Sequence, residues 1–204
     1  MLSKQKFDKS ILLRYNENIM WRETQNYTIL RAGTSGERVS TSFAPLEAAD
    51  ATEIGGVDWQ GVYAAVWQRI LEEESLRRCT LKLVCDGEED RRIQGLLYLG
   101  ERGSPLWSLE CLLEAAPWNR YGLPSERRQY QGVGKVLVAR VVAEHLALGY
   151  RDPLLIDVAP RAVRFYERLG WVQPRQSARP NRYMLEIAKA EALLQSVLCV
   201  EEGK

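Results

Sequence analysis

Gln129-Tyr130-Gln131-Gly132-Val133-Gly134-Lys135 runs without a break into Val136-Leu137-Val138-Ala139-Arg140-Val141-Val142-Ala143-Glu144-His145-Leu146-Ala147-Leu148. Two closely spaced glycines thus open a strongly apolar helix pattern, in which Lys135, Arg140 and Glu144 are the main polar residues. Gly149 stands where a helix C′ glycine belongs. A strand, a glycine turn and a helix in that order form a phosphate-binding geometry. The first amides of a helix have no intrahelical acceptor, and the helix dipole favours negative charge at that end. Gly132 and Gly134 carry no side chain that would hold the backbone away from a pyrophosphate. Gln129, Arg127, Arg128 and Lys135 add donors or charge; the arginine pair reads equally well as a solvated loop.

A lone G-x-G is also compatible with a tight turn or close helix packing. Two familiar phosphate motifs are excluded. There is no G-x-x-x-x-G-K-[ST], and the third glycine of a dinucleotide fingerprint is missing, since Lys135, Val136 and Leu137 follow Gly134.

Upstream of the loop, Trp59, Val62, Tyr63, Val66, Ile70 and Leu71 form one apolar stripe on a helix, with Asp58 as its N-cap. Three strands follow: Thr80–Cys85, ending at the turn signal Asp86-Gly87; Ile93–Leu99; and Leu106–Ala115, entered through Gly103-Ser104-Pro105. Two hairpins in succession predict an antiparallel meander. Downstream, Leu154–Val158 is a near-continuous apolar run, expected to be a strand covered on both faces. Pro160 opens a helix that fills Arg161–Leu169 and closes at Gly170. A strand over Asn181–Ile187 and a terminal helix over Ala188–Leu198 complete the pattern. Residues 1 to 45 are less legible, with short strands at Ser10–Tyr15, Tyr27–Arg31 and Arg38–Phe43. The expected class is α/β (α+β): a mixed, mostly antiparallel central sheet flanked by helices. Residues 1–37 are expected to be an N-terminal arm or extra strands, and residues 38–204 the main domain.

Gln129-x-x-Gly132-x-Gly134 resembles the acetyl-CoA loop of the GNAT acetyltransferase superfamily, Q/R-x-x-G-x-G/A. Ala162-Val163-Arg164-Phe165-Tyr166-Glu167-Arg168-Leu169-Gly170-Trp171 resembles that family's second signature, A-x-x-F-Y-x-x-x-G-F, with Trp171 in the aromatic place. The two together are far more specific than either alone. The resemblance is good over residues 80 to 187 and loose over 39 to 78. Two features depart from the pattern. Ala159 stands where the family often has an asparagine that helps hold the cofactor arm, and a backbone or water substitute is expected there. The segment Pro117–Arg128 is longer than usual, and Glu114-x-Ala116-Pro117-x-Asn119 resembles a bacterial branch with poorly assigned substrates.

The resemblance implies an acetyl-CoA-dependent N-acetyltransferase acting on a primary amine of a small molecule, amino acid or peptide, by direct attack in a ternary complex. The alternative within the same fold is a non-catalytic acyl-CoA-binding regulatory protein. Implied cofactor contacts are Leu113 and Ala115 on the third strand of the meander, whose backbone would meet the oxyanion, and Gln129, Tyr130, Gln131, Gly132, Val133, Gly134 and Lys135 in the loop. Tyr166 matches the family tyrosine near the CoA sulfur and is the candidate acid, the other reading being a core aromatic. Glu110, Leu112 and Glu114 share one strand face. Either carboxylate is a candidate proton acceptor or ammonium site, or the partner of a nearby arginine; Glu114 is preferred because it lies nearer the loop. Trp118, Tyr121 and Tyr130 are candidates for an acceptor pocket or for loop anchors. His145, mid-helix, has no assigned catalytic role.

Composition bounds the partners. Over 204 residues, 28 Lys+Arg balance 27 Asp+Glu for a net charge of +1, which gives no electrostatic case for nucleic acid or an anionic membrane. The four cysteines form no C-x-x-C pair and none is near His145, so no metal site is expected. No leader-like h-region or long apolar span is read, and a cytoplasmic monomer or homodimer is expected.

Overall fold

The computed structural model describes residues 26–33, 36–55, 59, 63–87, 92–100, 111–120 and 128–198. Ser10–Tyr15, Asp58, Val62, Glu110, Tyr121, Arg127 and Cys199 therefore lie outside the described residues. The elements are β1 (Tyr27–Arg31), β2 (Arg38–Pro45), α1 (Ala51–Ile54), α2 (Ala64–Glu72), α3 (Glu74–Arg77), β3 (Thr80–Cys85), β4 (Gly95–Leu99) and β5 (Cys111–Ala115). They continue with β6 (Tyr130–Gln131), α4 (Val133–Ala147), β7 (Leu154–Asp157), α5 (Val163–Arg168), β8 (Arg182–Leu185) and α6 (Ile187–Gln195).

Six strands form one sheet in the order β5-β4-β3-β2-β1-β6, and each neighbouring pair is antiparallel. The meander is therefore present, in the register Phe43↔Leu83, Leu81↔Leu97 and Leu97↔Leu113. The stretch 27–31, read as arm or extra strand, is an interior strand bonded to β2 on one side and β6 on the other.

Both faces of this sheet are covered, which is why its strands do not alternate cleanly between apolar and polar. In β4, Leu97 belongs to the core under α4 and Leu96 to the core under α2. The stripe read for α2 is realised only in part. Ile70 and Leu71 are buried, but Val66 is exposed, and Trp67, which the stripe did not include, is buried in its place; Trp59 and Tyr63 precede the helix. On the other face α4 is buried almost all round, including Val133, Val136, Leu137, Val138, Val141 and Val142. It approaches so closely that a Cβ on Gly95 of β4 would stand 3.0 Å from Leu137 Cδ1 and 3.1 Å from Val133 Cγ1. Arg140 of α4 is ion-paired to Glu144 and lies over the Phe43 ring at 5.7 Å, while its buried Nε has no hydrogen-bond partner among the described residues. His145 Nε2 meets the Asp152 carbonyl at 2.9 Å, tying the end of α4 to the approach of β7.

One expectation is corrected. The sheet is not mixed among the described residues: β7 pairs antiparallel with β8 in a separate two-stranded sheet. β7 is also not covered on both faces, since only Leu154 of its four residues is fully buried. The physical reason is that β7 has one partner strand. Asp157 at its end is engaged by Arg179 and Arg182 on the surface instead.

The two ends of the six-stranded sheet are brought together. Gln129 N donates to the Trp118 carbonyl (3.1 Å), and Tyr130 N donates to Asn119 Oδ1 (2.9 Å). The turn after β5 thus holds β6, and the sheet curls.

Candidate functional site

A groove of about 440 Å³ opens between β5, the start of α4 and α5. Leu113 and Ala115 form its β5 wall; Gln131, Gly132, Val133, Gly134 and Lys135 form the loop wall; Ala162, Phe165, Tyr166 and Arg168 form the third. The loop and the second signature, about thirty residues apart in sequence, meet here. Three cations, Arg128, Lys135 and Arg168, line the groove, and no carboxylate is among its described lining residues.

The loop has its form because of Gly132. Its φ of 91° and ψ of −7° lie in the left-handed region, and it is the N-cap of α4 without any side-chain cap. The first helical bond is from Val136 N to the Gly132 carbonyl at 3.0 Å. The amides of Val133, Gly134 and Lys135 therefore have no intrahelical acceptor, and Gly132 to Lys135 all line the groove. Gly134 serves a different need: a Cβ there would stand 3.1 Å from Phe165 Cζ.

The second signature packs on itself. Phe165 and Tyr166 meet edge-on at 5.1 Å, and Tyr166 and Trp171 at 5.7 Å with an interplanar angle of 86°. Tyr166 is buried, lines the groove, and has no hydrogen bond to its hydroxyl among the described residues. Burial drives its pKa upward, with Cys111 and Tyr63 acting in the same direction. Tyr166 is thus a core aromatic that also faces the groove. Cys111, on the same strand face as Leu113 and Ala115, has its thiol pushed up to about 12 by burial.

β5 is an edge strand, so alternate backbone groups of Leu113 and its neighbours point away from β4. Glu114 faces the other way. It is not a groove residue; Trp67 Nε1 donates to its Oε2 (2.6 Å) and Arg120 Nη2 to its Oε1 (2.8 Å). The reading of Glu114 as an arginine partner is therefore realised. Glu110 lies outside the described residues.

Two loop residues sit elsewhere than the motif implied. Tyr130 is 4% exposed and packs in the core under α4, with the Arg31 guanidinium 5.5 Å from its ring. The strand alternation that turns Gln131 to the groove turns Tyr130 inward. Gln129 is exposed and is not a groove residue: its carbonyl accepts from Ala32 N at 2.8 Å. Trp118 is an anchor, edge-on to Trp59 at 6.0 Å and beneath the Arg92 guanidinium. Asn119 also lines the groove; a buried asparagine after proline is indistinguishable in sequence from a turn residue.

No family model, curated protein or solved structure matches this chain. Among the described residues no helix is long and apolar enough to cross a membrane, and no cluster of His, Cys, Asp or Glu could hold a metal ion.

Proposed function

We propose that this chain is an acetyl-CoA-dependent N-acetyltransferase of the GNAT type, acting on a primary amine. The observation that carries this is the convergence of the Gly132 loop and Tyr166 on one cationic groove. The donor set fits an acyl-CoA. Unpaired helix amides and the side chains of Arg128, Lys135 and Arg168 suit a diphosphate. The apolar wall of Leu113, Val133, Leu137 and Phe165 suits a pantetheine arm.

Acetyl-CoA supplies, when bound, a thioester carbonyl activated towards an amine. In the transfer a C–N bond forms and the C–S bond breaks. Tyr166 Oη holds a proton for the leaving sulfur; its raised pKa keeps that proton in place at neutral pH. Outward-facing backbone of the β5 edge around Leu113 stabilises developing charge on the carbonyl oxygen. Glu114, on the opposite face, keeps a second lone pair on each oxygen after bonding Trp67 and Arg120. Because it faces away from the groove, the amine proton reaches it through water at the β5 edge rather than directly.

The test is release of CoA thiol from acetyl-CoA by the whole chain across a panel of amines. Amine-dependent release supports the proposal. Saturable CoA binding with no release from any amine would leave a non-catalytic acyl-CoA binder.

A further inference from the structure

Asn119 occupies the point where the ends of the curled sheet meet. The main chain turns after β5, where Ala116 N donates to the Gln94 carbonyl at 2.9 Å. Asn119 then points its amide into the gap and is only 7% exposed. Its Oδ1 accepts from Tyr130 N at 2.9 Å. Its Nδ2 donates to Gln94 Oε1 at 2.8 Å and to the Gln94 carbonyl at 3.3 Å. Gln94 is itself 1% exposed, and its Oε1 also accepts from Trp118 Nε1 at 3.2 Å. One side-chain amide therefore replaces a missing length of strand, with its acceptor toward β6 and its donors toward the start of β4.

The consequence for the groove is geometric. Tyr130 lies two residues before Gly132, where the loop begins. Leu113 and Ala115 of β5 form the facing wall, and Asn119 lines the groove between the two. Buried polar groups of this kind are costly unless every partner is present, so the amide holds one arrangement. We propose that Asn119 is a positioning residue that fixes the separation of the Gly132 loop from β5, and that acyl-CoA affinity depends on it. The proposal rests on the acyl-CoA reading of the groove.

The experiment compares the whole chain with Asn119→Ala and with Gln94→Leu, which removes one Asn119 partner and leaves the Tyr130 bond. CoA is titrated by calorimetry, amide exchange is followed at Tyr130 and at Val141 in mid-α4, and KM and kcat for acetyl-CoA are measured with the best amine. Asn119→Ala is expected to weaken CoA about tenfold and raise KM for acetyl-CoA similarly, with kcat within about twofold. Tyr130 exchange should accelerate while Val141 stays protected, and Gln94→Leu should fall between the two proteins. Should Asn119→Ala fail to fold, the intermediate weakening by Gln94→Leu carries the test. A folded Asn119→Ala, or in its place Gln94→Leu, with unchanged CoA affinity overturns the proposal. Absence of CoA binding in the unaltered chain overturns the cofactor reading and this proposal with it; Tyr130 exchange then still reports whether the amide latch exists.

Discussion

Phe165 occupies the space that a side chain on Gly134 would need: a Cβ built there would lie 3.1 Å from Phe165 Cζ and 3.3 Å from Cε2. The ring of the second signature is thus packed on the loop of the first. Gly134→Val should displace Phe165, cost about 1–3 kcal/mol in urea unfolding and narrow the groove. Phe165→Leu in the same chain should recover part of that loss, because the two sites share one contact. Additive effects in the double-mutant cycle would contradict the packing account.

Gly132 is constrained by backbone alone. A Cβ there meets nothing within 4 Å, yet φ is 91°. Gly132→Ala should therefore cost about 1–2 kcal/mol of stability from the left-handed conformation. Gly132→Glu should in addition abolish CoA binding, by repelling phosphate. Calorimetry of Gly132→Glu with near-normal CoA affinity would remove the loop from the site.

Tyr166 gives a kinetic and a pH prediction. Tyr166→Phe should lower kcat about 10²-fold with CoA affinity within about twofold. Burial raises the pKa of Tyr166 in the folded chain above the ordinary value near 10.0. The unfolded chain then loses the tyrosine proton first as pH rises. The stability associated with the neutral phenol is full below about pH 10 and falls above it. Tyr27 and Tyr183 are shifted the same way, so Tyr166→Phe should shallow the alkaline loss of stability without abolishing it. Urea midpoints between pH 8 and 11 measure this, and an unchanged alkaline slope would contradict it.

The elements were legible where one physical signal dominated. The α4 helix and the meander strand Thr80–Cys85 follow from apolar runs with clear turn residues at their ends. Leu154–Asp157 was legible as a strand but not as part of a separate hairpin, because an apolar run does not say what covers it. The loop was legible from Gly132 and Gly134, whereas the inward turn of Tyr130 depends on a two-residue strand pairing with β1 across about a hundred residues of chain. The same holds for Glu114. Its face was readable from strand alternation, but its partners Trp67 and Arg120 arrive from a distant helix and a turn.

Glu114→Gln tests the acceptor face. The amide keeps an oxygen for Trp67 Nε1 or Arg120, so stability should fall by only about 1 kcal/mol. As proton acceptor its loss should lower kcat at least about tenfold, with CoA affinity unchanged. Unaltered kcat would leave Glu114 as a partner of Trp67 and Arg120 and nothing more.

The central claim is that the groove at the start of α4 takes acetyl-CoA. Titration of acetyl-CoA into the whole chain, followed by calorimetry, tests it most directly. Saturable binding at one site per chain is expected, with a micromolar Kd, about −8 kcal/mol, lost in Gly132→Glu. Absence of binding at millimolar acetyl-CoA by the folded, unaltered chain would contradict it.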